Sequence, residues 1–212
     1  MSEAAALRTP NFFDWHELYP FLEAIQAATD TIFAELKCAS RWFDWPETEL
    51  YHPELGANWK VFPFCHTIPS NDPSAQVWLP AATSCPATSA LLRAIPGLRT
   101  ALFSRMGPQT VLEPHTGWAD VSNHVLRCHL PLYVPEDAPD TCGIQVEDEL
   151  RFHKKGQLLV FDDSKIHFAF NAHKSKPRYV LIFDIERPAH IHAGTATGST
   201  TEELKGFIDY FK

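Results

Sequence analysis

From Thr100 onward the chain breaks into short apolar runs separated by Pro, Gly and Asp. These runs cover 100–106, 110–115, 124–134, 143–153, 157–162, 166–171 and 178–185. Short strands at this spacing predict a sandwich, a jelly roll or a small barrel. Lys154-Lys155-Gly156 predicts a hairpin turn between two of the strands.

The segments on either side read differently. Residues 11–37 predict a helical region, with Ile25, Ala28, Ile32, Phe33 and Leu36 at three- and four-residue spacing and Pro20 suited to a helix start. Residues 41–58 form an irregular stretch rich in Trp, Pro and Tyr, residues 58–64 a strand, and residues 65–87 a proline-containing loop. A short helix over 89–95 ends at Pro96-Gly97. Beyond Pro188 a Gly/Thr/Ser-rich linker leads to Ser199-Thr200-Thr201-Glu202, whose capping-box spacing opens a helix over 201–212. The expected organisation is an N-terminal extension (1–57), a β domain (58–188), and a linker with a C-terminal helix (189–212).

Charge narrows the function. The formal net charge is −8 and no stripe of Lys and Arg is present, which argues against nucleic acid as a partner. The 5 cysteines have irregular spacing and no CxxC pair, so neither a zinc ribbon nor a dithiol redox centre is indicated. They read as reduced thiols. The N-terminus lacks a basic segment followed by an apolar one, and no apolar run approaches the ~20 residues that span a bilayer. The expectation is a soluble cytoplasmic protein without a membrane partner.

Of the 11 histidines, His16, His52, His173, His190 and His192 carry no pattern and read as structural. His115, in Glu113-Pro114-His115-Thr116-Gly117, and His167, after Phe161-Asp162-Asp163-Ser164, each sit at a strand end beside turn residues. The mouth of a small barrel is where a metal site can be assembled from distant sequence positions. Imidazole holds Fe(II) well. Arg178 opens the apolar run Tyr179-Val180-Leu181-Ile182-Phe183 and offers a planar fork that binds a carboxylate at two points. The combination suggests an iron site beside a dicarboxylate co-substrate.

Taken with Phe103-Ser104-Arg105-Met106, Leu126-Arg127-Cys128-His129-Leu130 and Gly156 to Ser164, these motifs resemble the aspartyl/asparaginyl β-hydroxylase family over roughly residues 58–188. The resemblance implies a mainly β, double-stranded β-helix fold (jelly-roll or cupin-like) with flanking helices. It also implies Fe(II), 2-oxoglutarate as co-substrate, and O2. His115 and His167 would ligate the iron. Gly117 stands where many related oxygenases carry a third, carboxylate ligand, and Asp120 is the one nearby acid weighed for that place. Arg178, assisted by Ser104, would hold the distal carboxylate of 2-oxoglutarate, with Met106 packed nearby. Arg127 and His129 alternate on one strand and would face inward, near the co-substrate and substrate carboxylates. An inward arginine needs an anionic partner, which a bound diacid supplies.

Asp162 and Asp163 read as a turn ending a strand, with orientation of a metal-bound histidine as a further role. Trp59 reads as core, and His124 as an exposed residue out of phase with Arg127. The implied reaction is hydroxylation of the β-carbon of an aspartyl or asparaginyl unit, whether free, peptidic or carried on a biosynthetic intermediate. Three alternatives stay open: a related oxygenase acting on another small molecule or an acyl chain, a Zn or Mn enzyme of cupin type, and a non-enzymatic β-barrel that binds a small ligand. Val125 and Leu102 are apolar where animal members of the family carry basic residues.

Overall fold

The computed structural model describes residues 9–211. Its strands are β1 (Phe12–Phe13), β2 (Phe43–Asp44), β3 (Trp59–Thr67), β4 (Gln76–Trp78), β5 (Leu98–Met106) and β6 (Thr110–Val111), followed by β7 (Val125–Tyr133), β8 (Cys142–Val146), β9 (Glu149–Phe152), β10 (Leu159–Phe161), β11 (His167–Asn171) and β12 (Arg178–Glu186). The helices are α1 (Trp15–Leu18), α2 (Glu23–Ala27), α3 (Thr29–Leu36), α4 (Pro86–Arg93), α5 (Ala119–Ser122) and α6 (Thr201–Tyr210).

An 8-stranded sheet runs β1-β10-β7-β12-β5-β3-β2, with β4 on β3, and a 4-stranded sheet runs β6-β11-β8-β9. Strands far apart in sequence pair within each sheet, as in the double-stranded β-helix that the motifs imply.

The period-2 alternation of the three central strands of the larger sheet decides what reaches the interior. Leu126, Cys128, Leu130 and Leu132 of β7, Leu181, Phe183 and Ile185 of β12, and Ala101 and Phe103 of β5 point outward and share one core with Leu22, Ile25 and Ile32 of the N-terminal segment and Leu92 of α4. The intervening positions carry Arg127, His129, Ser104, Met106, Arg178 and Asp184 in the opposite phase. A second core, with Val61, Met106, Ile144, Val146 and Phe161, fills the space between the sheets. One face of the large sheet is therefore an ordinary hydrophobic interface, and the other holds a concentration of buried polar groups.

Several local expectations change. The 11–37 region begins with β1, paired with β10, and continues as short helices. The 143–153 run is a hairpin: Glu147 takes a left-handed φ of 49° and folds β9 back onto β8. Two residues at a turn split a run whose composition reads as one strand. Lys154 to Gly156 is a crossover between the sheets, since β9 and β10 belong to different ones. The 65–87 stretch contributes the end of β3 and all of β4, and the helix expected over 89–95 spans Pro86–Arg93. The capping box falls one residue later than read, on Thr200 and Glu203.

Candidate active site

His115 and His167 form an isolated antiparallel bridge, His115 N donating to His167 O at 3.0 Å and His167 N to His115 O at 2.8 Å. Residues directly opposite one another in an antiparallel pair point to the same face. The two rings accordingly meet with centroids 4.5 Å apart. Each Nδ1 faces a backbone carbonyl, Glu113 O at 2.7 Å and Lys165 O at 2.9 Å. A carbonyl only accepts, so each Nδ1 carries the proton and each Nε2 keeps its lone pair. Burial holds His115 below the usual imidazole range, and burial with the neighbouring His115 holds His167 far below it. Both rings are neutral and poised to donate to a metal.

Asp163 completes this corner. Its Oδ1 lies 3.3 Å from His167 Nε2, and neither carboxylate oxygen receives a hydrogen bond. Arg127 Nη1 is 2.6 Å from Oδ1, an ion pair whose angles are not those of a hydrogen bond. Burial, opposed by Arg127 and reinforced by Asp184 and Asp162, raises the Asp163 pKa. A lone pair facing an unsatisfied carboxylate is unfavourable alone and favourable beside a cation. These residues fit a divalent metal. Among the described residues no set of three or more His, Cys, Asp and Glu converges as a metal cage, and the two imidazoles are the residues that could hold a metal ion.

Gly117 is glycine for a steric reason. A Cβ there would lie 1.9 Å from Asp163 Oδ2 and 2.8 Å from Ser122 Cβ. The space next to the histidine pair is filled by a carboxylate from 46 residues downstream in place of a side chain at position 117. Gly117→Ala is expected to displace Asp163, weaken its pairing with Arg127 and cost about 1–3 kcal/mol, the usual range for overpacking a tight interior. Urea unfolding checks this, and unchanged stability would mean that Asp163 swings away freely.

Behind the histidines, Arg178 is 1% exposed. Its Nε has no hydrogen-bond partner, and among the described residues no carboxylate lies within ion-pair distance of it. Burial pushes its pKa down to about 10. Its Nη1 lies 3.2 Å from His153 Nδ1, and His153 Nε2 lies 3.3 Å from His129 Nδ1. A guanidinium only donates. His153 Nδ1 therefore accepts from Arg178, its Nε2–H donates to His129 Nδ1, and the remaining donor is His129 Nε2–H. Burial and the Arg178 charge hold His153 well below the usual imidazole range, and burial, competition with the His153 ring for a proton and the Arg178 charge do the same at His129. Ser104 accepts from Trp59 Nε1 at 3.0 Å. Ser104, Met106, His129, Arg178, His115 and His167 line one cavity, which Arg127 also borders.

Most expected residues thus converge, and the expectations for Arg127 and His124 need correction. Arg127 does face inward, but its anionic partners are protein carboxylates: Nε and Nη2 bind Asp184 Oδ1 and Oδ2 at 2.8 and 3.0 Å, and Nη1 meets Asp163. Burial opposes its charge, yet these two acids raise its pKa above the usual value. With its three nitrogens set against protein acids, Arg127 needs no bound diacid to offset its burial, although it still borders the cavity. Asp120 is a cap, its Oδ2 accepting from Thr201 N and Oγ1 at 2.6 and 2.7 Å at the start of α6. Trp59 lines the cavity as well as the core. His124 is half-buried rather than exposed.

The sequence reading also missed His153 and Asp184. Asp184 is in phase with Arg178 on β12 and directly opposite Arg127 on β7, a signal available once the strand pairing is known. Asp162 is a buried anchor, bound by Arg187 Nη2 at 2.6 Å and Nη1 at 3.0 Å.

Outside the histidine pair, a cavity of about 140 Å³ is walled by Trp45, Glu47, Trp59, Leu102, Trp118 and Ile182 and reaches His115 and Gly117. An adjoining apolar groove runs under α6, between Phe207 and Phe211 on one side and Val61, Leu79 and Leu102 on the other.

A family model described as aspartyl/asparaginyl beta-hydroxylase matches residues 23–188. The chain is 42% identical over 105 residues to an ornithine lipid ester-linked acyl 2-hydroxylase of Rhizobium tropici, covering 50% of this chain and 36% of that protein. It is 36% identical over 86 residues to the aspartyl/asparaginyl beta-hydroxylase of Mus musculus, covering 41% and 11%. The chain thus spans about a third or less of the length of these relatives. In fold it is similar to a 2OG-Fe(II) oxygenase family oxidoreductase from Burkholderia pseudomallei, with a TM-score of 0.53 at 12% identity over 91% of this chain and 98% of that one.

Proposed function

The chain belongs to the aspartyl/asparaginyl β-hydroxylase family, and from that membership we propose that it is an Fe(II)- and 2-oxoglutarate-dependent hydroxylase. The observation that carries the proposal is a buried guanidinium without an anion, Arg178, sharing one cavity with two neutral imidazoles whose Nε2 lone pairs are free. His115 and His167 would hold the iron. Iron with 2-oxoglutarate and O2 supplies the oxidising chemistry that turns a C–H bond into C–OH, while 2-oxoglutarate leaves as succinate and CO2.

The chain's own residues bind and orient. Arg178 pairs with the distal carboxylate, and the Ser104 hydroxyl, held by Trp59, lies on the same wall. His129, fixed as a donor through His153, presents Nε2–H to the co-substrate. The apolar lining from Met106, Leu112, Ile144 and Ile182 keeps water out, which strengthens each of these contacts.

The substrate in this reading is an aspartyl or asparaginyl unit oxidised at its β-carbon. A second reading, an acyl chain, is favoured by the apolar groove under α6 and by the name of the Rhizobium relative. All 5 cysteines are unpaired, which supports a reducing compartment, and the proposal includes a cytoplasmic site of action on that ground. Among the described residues no helix is long and apolar enough to cross a membrane.

The test is succinate release from 2-oxoglutarate with Fe(II), across free amino acids, Asp- and Asn-containing peptides and acylated amino acids. Iron-dependent succinate above the metal-free control is expected, with the mass of one substrate class rising by one oxygen. No succinate with any of them would overturn the assignment.

A further inference from the structure

Glu47 stands in the tryptophan wall of the outer cavity, in a setting that needs a cation. Its Oε1 accepts from Trp118 Nε1 and its Oε2 from Trp45 Nε1, each at 3.1 Å. Both donors are neutral, and among the described residues no Lys, Arg or His lies within ion-pair distance of it. The cation that shares this cavity, Arg127, is committed to Asp184 and Asp163. Burial raises the Glu47 pKa, partly offset by the two indole N–H groups. A carboxylate half out of water, with neutral donors alone, gains most from an incoming positive charge.

The surrounding wall favours the same ligand. Trp45 stacks on Trp59 with centroids 4.4 Å apart and lies near-parallel to Trp118 at 5.9 Å. Indoles attract cations more strongly than any other aromatic side chain. From this juxtaposition we infer that the substrate carries a primary ammonium group, held by Glu47 at the tryptophan wall while the carbon to be oxidised reaches toward His115. The inference rests on the hydroxylase reading for what happens to that carbon; the ammonium site itself does not. It makes Glu47 a specificity-determining residue.

The test uses anaerobic protein loaded with Fe(II) and 2-oxoglutarate, titrated with n-butylammonium, n-butanol and n-butyrate while tryptophan fluorescence is followed. Saturable binding of butylammonium is expected, at least tenfold tighter than butanol, with no butyrate binding. Glu47→Gln, which keeps the side-chain shape, should lose that tenfold preference. Equal affinity for butylammonium and butanol in the unaltered protein, or an unchanged preference in Glu47→Gln that still binds 2-oxoglutarate, would overturn the inference. If Glu47→Gln fails to bind 2-oxoglutarate and so to fold, the comparison of the three probes in the unaltered protein decides alone. Succinate release in air across the substrate classes above separates the two claims: saturable butylammonium binding with no succinate from any of those classes would sink the hydroxylase reading only, and succinate release without that binding would sink the ammonium site only.

Discussion

Arg178→Leu abolishes saturable 2-oxoglutarate binding and leaves the ligand-free protein as stable as before, or more so. The two effects have opposite signs because of what surrounds the guanidinium. Arg178 is among the largest fully buried side chains, its Nε has no partner, and among the described residues its guanidinium hydrogen-bonds a neutral imidazole, His153, and no carboxylate. Burying a charge costs several kcal/mol when no counter-charge offsets it. Leucine removes that cost and keeps an apolar side chain between Met106 and Ile144. The co-substrate loses the cation of this cavity that, among the described residues, no carboxylate engages, and a weakening of at least ~100-fold, about 3 kcal/mol, is the scale for losing a charge-assisted contact in a buried site. Calorimetric titration reads the first effect and thermal unfolding the second. Unaltered protein should also gain thermal stability with added 2-oxoglutarate, by mass action, and the variant should not. Retained affinity would remove Arg178 from the site. Collapse of the ligand-free variant would make it a structural residue.

How much of this was readable beforehand depends on which residues are local. The strands announced themselves because Pro, Gly and Asp punctuate them, and His115, His167 and Arg178 stood at their ends. The histidine pair needed no knowledge of the fold, since each imidazole is marked by its own turn. Arg127 was placed on the correct face by simple alternation with His129, yet its partner was misjudged. Asp184 lies 57 residues away and becomes its neighbour only through the antiparallel register of β7 and β12. His153 was hidden for another reason. It follows a hairpin whose turn, at Glu147, requires a left-handed residue that composition does not single out. Asp120, weighed as a ligand but read first as a turn or loop hydrogen-bonding residue, accepts from the backbone at the start of α6. Pairing between strands, unlike patterning within one, is set by the whole chain.

Replacing either imidazole with alanine should release the iron, and the pair should differ in everything else. In each variant one neutral donor remains, with no third protein ligand to compensate, so iron affinity should fall by more than the ~10–100-fold typical of losing a mere orienting partner. His115 is half-buried and its loss opens onto the cavity, so His115→Ala should unfold close to the temperature of the parent. His167 is 4% exposed, packs edge-on against Phe161 with centroids 5.7 Å apart, and neighbours Asp163. His167→Ala leaves a hole in the interior and strips a neighbour from a carboxylate that already lacks hydrogen bonds, so it should lose about 2–4 kcal/mol of stability as well. Iron content after desalting, measured beside urea unfolding, separates the roles. Full iron occupancy in His115→Ala would mean that the metal is held elsewhere, and the two rings meet across their bridge for a purely structural reason.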